Sequence, residues 1–180
     1  MAAGPAPHFN AIRTYVDNGT FMPRGRHETI FDFVYHAAFY QRAPIPRIPQ
    51  NDPRVWRIVY EGEAALVQLN DEPAITKPST LYTCAAIIYA CRHTNKAWVH
   101  HSPSGQLSPE QVHEAIDRLG AANMRDQIFV ICANRQIDES YEHLTERIAV
   151  AGIPRSNILA LTGYQNESFG IDNHGHVGFC

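Results

Sequence analysis

The sequence predicts an α+β fold, in which a mixed β-sheet or sandwich carries helices on its faces. Apolar runs at 81–91 and 128–132 lack helical periodicity and indicate strands buried on both faces. Two amphipathic segments at 108–120 and 138–151 carry helix start and stop signals. Strands dominate before the first of these helices and again after the second, which is typical of α+β rather than regularly alternating folds.

The composition fits one globular unit. The chain has 180 residues, 44% of them hydrophobic, a net charge of −3 and no run of Lys or Arg, so we expect neither a nucleic-acid nor an anionic-membrane partner. No apolar stretch reaches the roughly 20 residues that cross a bilayer. The first residues lack the pattern of a Sec signal peptide. We therefore expect a monomer located in the cytoplasm of its producer, or secreted without a Sec signal into a host or competitor cell.

The N-terminal third differs from the rest. Residues 1–26 are rich in Pro, Gly and Asn, and apolar spacing predicts a helix over 27–41. Four prolines make 43–53 an extended connector. This divides the chain into an arm, helix and connector at 1–53 and a core domain at 54–180, which together form one compact unit.

The core domain reads as a series of short strands around the two helices. Ser108 with Pro109 and Gln111 forms a capping-box pattern, and Gly120 ends that helix. A polar segment at 71–79 with two prolines is expected to be a loop. The predicted strands are 55–60, 64–69, 81–91, 96–101, 128–132, 158–161, 169–171 and 177–179.

The segments 81–91 and 96–101 predict a hairpin with chemistry at one end. Cys84 opens the first strand, and His100 and His101 end the second. In an antiparallel pair the start of one strand lies beside the end of the other. A thiol beside an imidazole is the minimum equipment for nucleophilic catalysis. Because neighbours on a strand point to opposite faces, one histidine faces Cys84 and the other does not; the sequence leaves open which.

This hairpin resembles the active-site hairpin of the CheD chemoreceptor glutamine deamidases, a fold that the cytotoxic-necrotizing-factor type of toxin deamidase shares. The resemblance is carried by Ser79-Thr80-Leu81-Tyr82-Thr83-Cys84 and by Ala97-Trp98-Val99-His100-His101, and the later element order extends it over about 75–180. This chain differs from CheD at two places. CheD has Gly-Ser-Cys at the positions of 82–84, and the position of its threonine six residues before the cysteine is occupied here by Pro78. The chain therefore resembles a divergent member of effector or toxin type.

The resemblance implies a cysteine-dependent protein glutamine deamidase that needs no cofactor and acts on a target protein with a reactive glutamine. Cys84 would be the nucleophile and His101 or His100 the base. In that superfamily a threonine or a backbone carbonyl orients the histidine, a role that Ser79 or Thr80 would take here. The backbone N–H groups of Thr83 and Cys84 would hold the oxyanion, which is worth about 3 kcal/mol for each donor. Asn134, Arg135 and Asp172 are candidates for the lining of the cleft.

Other interpretations stay open. Cys84 alone reads as a small buried hydrophobe, as do Cys91 and Cys132, and all four cysteines are expected to be reduced thiols. A binding or inhibitor protein on the same scaffold, a transglutaminase and a cysteine protease share these features. A metal-dependent hydrolase is a further alternative, with His174 and His176 joining the hairpin histidines as ligands.

Overall fold

In the part of the chain that the structure describes, the fold contains two β-sheets and two α-helices. The computed structural model describes residues 14–16, 57–69, 74–76, 84–133, 139–162, 168–171, 175 and 177–179. In chain order the strands are β1 Thr14–Val16, β2 Arg57–Val59, β3 Ala64–Gln68, β4 Ala74–Thr76, β5 Ala85–Cys91, β6 Lys96–Ser102, β7 Ile128–Ala133, β8 Ile158–Thr162, β9 Phe169–Ile171 and β10 Val177–Phe179. The helices are α1 Pro109–Leu119 and α2 Glu139–Val150.

The larger sheet of the described residues is mixed. Its six strands run in the order β1-β8-β7-β5-β6-β3. β5 pairs antiparallel with both β6 and β7, while β7 and β1 run parallel to β8. A smaller sheet has the order β10-β9-β4-β2. The α+β prediction with a mixed sheet and flanking helices is confirmed.

Two hydrophobic cores lie on the two faces of the large sheet. One face packs against the small sheet through Ala86 and Ile88 of β5 and Phe169 of β9, among others. The opposite face packs against the helices, where Ile87 and Tyr89 meet residues such as Ile116 of α1. All seven residues of β5 are buried, because each face of this central strand is covered by another layer.

The capping signals of α1 act as predicted. The Ser108 side chain accepts from the Gln111 N–H at 3.2 Å, and the Gln111 side chain accepts from the Ser108 N–H at 2.7 Å. Gly120 ends the helix in the left-handed conformation at φ 69°, which glycine adopts without strain. These contacts fix where α1 starts and stops relative to β6.

Several short strands depart from the expectations. The segment 71–79 was expected to be a loop, but it contains β4, and this expectation is wrong for Ala74–Thr76. β1 lies inside the predicted arm and pairs parallel with β8. A three-residue strand is too short for an alternation signal, so its partners decide its structure. The predicted helix 27–41 and the connector 43–53 lie outside the described residues, and the domain division stays a prediction.

The remaining elements agree with the sequence. The strands predicted at 128–132, 158–161, 169–171 and 177–179 and the helix predicted at 138–151 are present within one or two residues of their expected bounds. The strands predicted at 55–60 and 64–69 appear as β2 and β3 but belong to different sheets. In the part of the chain that the structure describes, no helix has the length and apolar character needed to cross a membrane.

Candidate active site

The register of the central hairpin places Cys84 and His101 on one face of the large sheet. His101 lies directly opposite Ala86. Cys84, which immediately precedes β5, is two residues from Ala86 and shares its core between the two sheets. Residues two apart on a strand point to the same side. Cys84 precedes Ala85, the first paired residue of β5, so the register places Cys84 and His101 on the same face at one end of the hairpin.

The four-residue turn of the hairpin sets this register. Cys91 pairs with Lys96, and the Asn95 N–H donates to the Cys91 carbonyl at 3.0 Å. Asn95 adopts φ 54°, a left-handed conformation that asparagine tolerates better than most residues. Its side-chain amide also donates to the Leu69 carbonyl at 2.9 Å. A turn one residue shorter would shift every pair and would bring His100 to the face of Cys84.

His100 faces the helix side of the sheet. It pairs with Ile87 of β5 and with Ala64 of β3, and Ile87 belongs to the core that contains α1. The imidazole is 4% exposed. Burial and the neighbouring His101 lower the pKa of His100, while Glu114 opposes this shift. Of the two candidate histidines, His101 is the one that shares a face with Cys84.

The ring of His101 is held by a backbone carbonyl. Its Nδ1 lies 3.2 Å from the carbonyl oxygen of Val59. A carbonyl only accepts, so Nδ1 carries the proton and donates, and the neutral ring keeps its lone pair on Nε2. That Nε2 is buried and, within the described residues, has no hydrogen-bond partner. The arrangement leaves the unprotonated Nε2 of the neutral ring buried on the side of the sheet that Cys84 shares.

A tight turn between β2 and β3 fixes the backbone on both sides of this contact. The Gly62 N–H donates to the His101 carbonyl at 2.8 Å, and the His101 N–H donates to the Glu63 carbonyl at 3.0 Å. The Glu63 N–H closes the turn on the Tyr60 carbonyl at 2.9 Å. Gly62 has φ 84°, a region that costs a side-chain-bearing residue free energy. The turn thereby holds Val59 and His101 in register.

Cys84 lies at an edge where several strands end. It is 5% exposed and is not in a disulfide. Ala86 pairs with Ala133, the last residue of β7, and Ala133 pairs with Leu161 near the end of β8. The C-terminal ends of β7 and β8 therefore lie at the end of the sheet where Cys84 lies. By contrast, Cys132 points to the helix side, where burial strongly raises the pKa of its thiol.

Other predicted site residues lie outside the described residues, and their roles stay predictions. These are Ser79, Thr80, Thr83, Asn134, Arg135, Asp172, His174 and His176. Among the described residues, the partner that His101 has is a backbone carbonyl, that of Val59. The sequence carries no signal for this partner, because every residue has a carbonyl. Among the described residues, no cluster of three or more His, Cys, Asp or Glu side chains is arranged to hold a metal ion.

Comparison with known proteins gives distant structural likenesses. No protein-family model matches the chain, and the search of curated proteins also gave no match. Among solved structures, YfiH from Bacillus licheniformis, a hypothetical protein, matches with 12% identity over 86% of this chain and 65% of its own, at a TM-score of 0.44. YlmD from Geobacillus stearothermophilus matches with 9% identity over 71% of this chain and 56% of its own, at 0.40.

A third solved structure is the C-terminal domain of CNFy from Yersinia pseudotuberculosis. It has 10% identity over 67% of this chain and 54% of its own, at a TM-score of 0.35. The chain thus spans less than two thirds of the length of each of these three structures. At these scores and identities the likeness is distant, and we derive no activity from it.

Proposed function

We propose that this protein is a cysteine-dependent hydrolase of carboxamide groups, with Cys84 as nucleophile and His101 as base. The single observation that carries the proposal is the ring of His101. Its Nδ1 donates to the Val59 carbonyl, and its buried Nε2 is without a partner among the described residues, on the face that Cys84 shares. This is the tautomer that a general base for a thiol requires.

The first half of the reaction forms a thioester. His101 Nε2 takes the proton of the Cys84 thiol, and the thiolate sulfur attacks the carboxamide carbon. The C–N bond breaks, and the proton held on Nε2 passes to the nitrogen, which leaves as ammonia. The imidazolium formed in between keeps its Nδ1–H bond to the Val59 carbonyl, so the ring stays oriented throughout.

The second half returns the enzyme to its starting state. His101 Nε2 removes a proton from water, the resulting hydroxide attacks the thioester carbon, and the C–S bond breaks. The thiolate takes back the proton from Nε2, and the product is a carboxylic acid, which ionises in water. In balance, carboxamide and water give carboxylic acid and ammonia, with no oxidant, reductant or metal required.

We further propose that the substrate is a glutamine side chain of a target protein and that the enzyme is an exported effector or toxin. The support is the resemblance of 79–103 to the CheD hairpin, together with the absence of the Gly-Ser-Cys signature of the chemotaxis enzymes at 82–84. Conversion of glutamine to glutamate adds a negative charge, which disrupts an interface or removes a catalytic amide. The N-terminal third, which lies outside the resemblance, is where we expect target recognition.

The test is ammonia release from a glutaminyl peptide and from proteins of a cell lysate, with wild type and Cys84→Ala. We expect ammonia from the wild type, a mass gain of about 1 Da at each converted amide, and neither from the variant. Release that survives in Cys84→Ala contradicts the proposal. Incorporation of an added amine with no mass gain of this kind identifies a transglutaminase instead.

The burial of the site favours one rival, a non-catalytic binding protein on the same scaffold. Cys84 is 5% and His101 0% exposed, and a small core thiol is ordinary in proteins. The rival predicts no ammonia release and a sluggish Cys84 thiol at neutral pH. A catalytic Cys84 instead reacts with iodoacetamide faster than the other thiols and in a way that depends on His101.

A further inference from the structure

A pocket opens on the side of the large sheet away from Cys84, between α1 and the sheet edge. It has a volume of about 330 Å³. Ligand sites of proteins typically measure about 300–1,000 Å³, so this one suits a small molecule. The pocket is open because the residues of its lining on the edge strand and in the turn before it are small. Ala64 lies directly opposite His100, and Gly62 at the mouth has no side chain.

The floor of the pocket is formed by Trp98 and His100 on alternate positions of β6. His100 is 4% exposed, and its ring borders the pocket. A ligand that reaches the floor can therefore form a hydrogen bond with this imidazole.

The wall is one face of α1, where Gln111, Glu114 and Arg118 follow a helical spacing. The Glu114 Oε1 and the Arg118 Nε are 3.6 Å apart, and both side chains are about half exposed. The Arg118 guanidinium also lies 6.0 Å from the centroid of the Trp98 ring. Gln111, which also lines the pocket, uses its Oε1 on the Ser108 N–H and so keeps its amide N–H groups as donors.

These groups define the charge of the ligand. One carboxylate and one guanidinium face the pocket, and burial keeps His100 largely neutral at pH 7 because it lowers its pKa. A ligand with a single charge would compete for one member of this half-exposed pair and leave the other to solvent. A ligand with adjacent charges of both signs replaces the weak, exposed Glu114–Arg118 pair by two pairs of its own.

We propose that this pocket binds a small zwitterion of the α-amino acid class. The ligand's ammonium group binds Glu114, its carboxylate binds Arg118, and its side chain lies over Trp98 and His100. The inference does not rest on the proposed hydrolase activity, because it uses the opposite face of the sheet and none of the groups that act on a carboxamide.

The test is isothermal titration of the full chain with each of the twenty L-amino acids. We expect at least one to bind with a Kd of about 1 mM or below. Its N-acetyl derivative, which lacks the ammonium, and its methyl ester, which lacks the carboxylate, are each expected to bind at least about tenfold more weakly. Equal binding of either derivative, or a Kd above about 1 mM for all twenty, overturns the proposal.

Two variants and a control locate the site. Glu114→Gln removes the carboxylate from a half-exposed position, and Ala64→Leu fills the space opposite His100. Each is expected to weaken binding at least about tenfold, with a thermal midpoint near that of the wild type. Asp117→Asn, an exposed change on α1 outside the pocket, is expected to bind as the wild type does. Wild-type affinity in both pocket variants contradicts the proposal.

Discussion

His101 donates a hydrogen bond from Nδ1 to the carbonyl of Val59, 42 positions earlier in the chain, across 3.2 Å. The contact joins the large sheet to the edge strand of the small one. It fixes the tautomer of the ring, and Nε2 is buried on the side of the sheet that Cys84 shares. The proposed chemistry depends on this hydrogen bond, because it determines which ring nitrogen of His101 is free to act as the base.

The tautomer of His101 is directly measurable. We expect the neutral ring to carry its proton on Nδ1, because the Val59 carbonyl only accepts hydrogen bonds. Long-range ¹H–¹⁵N NMR correlations of the imidazole distinguish the two tautomers. His113, exposed on α1, provides an internal reference for a ring in solvent. A proton on Nε2 of neutral His101 contradicts this account of the site.

The turn that clamps His101 is tested by Gly62→Ala. A Cβ at this position meets nothing closer than the Pro103 Cγ at 3.9 Å, so the change acts through the φ of 84° alone. We expect a loss of about 1 kcal/mol in the free energy of unfolding, together with slower alkylation of Cys84. Denaturant unfolding and peptide mass spectrometry measure the two effects.

A matched control is Gly120→Ala at the end of α1. Gly120 has φ 69°, and a Cβ there meets the Thr94 Cγ2 at 3.8 Å. The two variants therefore carry similar backbone strain in similar space, but Gly120 makes no contact with His101. We expect a comparable loss of stability and an unchanged Cys84 alkylation rate. If both variants slow the alkylation equally, the turn has no specific role.

The capping box of α1 is a test of local stability. Ser108→Ala removes the acceptor of the Gln111 N–H, and we expect a loss of about 1 kcal/mol in the free energy of unfolding. Ser108→Asp keeps an acceptor at the cap and adds a favourable charge at the helix N-terminus, so it should retain most of the stability. Equal losses in the two variants would show that the cap does not stabilise the helix.

Stability should fall at acidic pH in a way that depends on His100. Burial and the neighbouring His101 lower the pKa of His100 from its ordinary 6.5 in the folded state. At pH values between the lowered pKa of folded His100 and its ordinary pKa of 6.5 in the unfolded chain, the unfolded chain binds more protons. The free energy of unfolding therefore decreases as the pH falls below about 6.5. We expect His100→Gln to reduce the change between about pH 7.5 and pH 5.5, measured by urea unfolding.

The control for this pH dependence is His113→Gln, an exposed change. We expect it to leave the difference between the two pH values as in the wild type. A His100→Gln variant whose stability changes with pH as steeply as that of the wild type would mean that another group sets the acid sensitivity.

Much of the fold follows from local signals. The Ser108 cap, the Gly120 stop and the unbroken apolar run of β5 each indicate an element without help from the rest of the chain. The strands β1 and β4 do not, because three residues carry no periodicity and their pairing partners decide their structure. The assignment of β2 and β3 to different sheets is likewise a property of the packed molecule.

The candidate site, too, is predictable from the sequence only where local patterns decide its structure. The spacing of Cys84 and the two histidines predicts a hairpin with these residues at one end, and β5 and β6 form that hairpin. Which histidine shares the face of Cys84 depends on the register, which the Arg92–Asn95 turn determines. The Val59 partner and the pocket at His100 arise from contacts between distant segments. No pattern of residue types within the hairpin encodes them.

The measurement that tests the central claim most directly is the rate of Cys84 alkylation by iodoacetamide at pH 7 in the wild type, His101→Gln and His113→Gln. The account predicts a fast Cys84 in the wild type and in His113→Gln, and a rate lower by about tenfold or more in His101→Gln, because the base that generates the thiolate is gone. The folded content of each variant is checked by circular dichroism. A Cys84 that reacts equally slowly in all three proteins would contradict the claim that Cys84 and His101 form a catalytic pair.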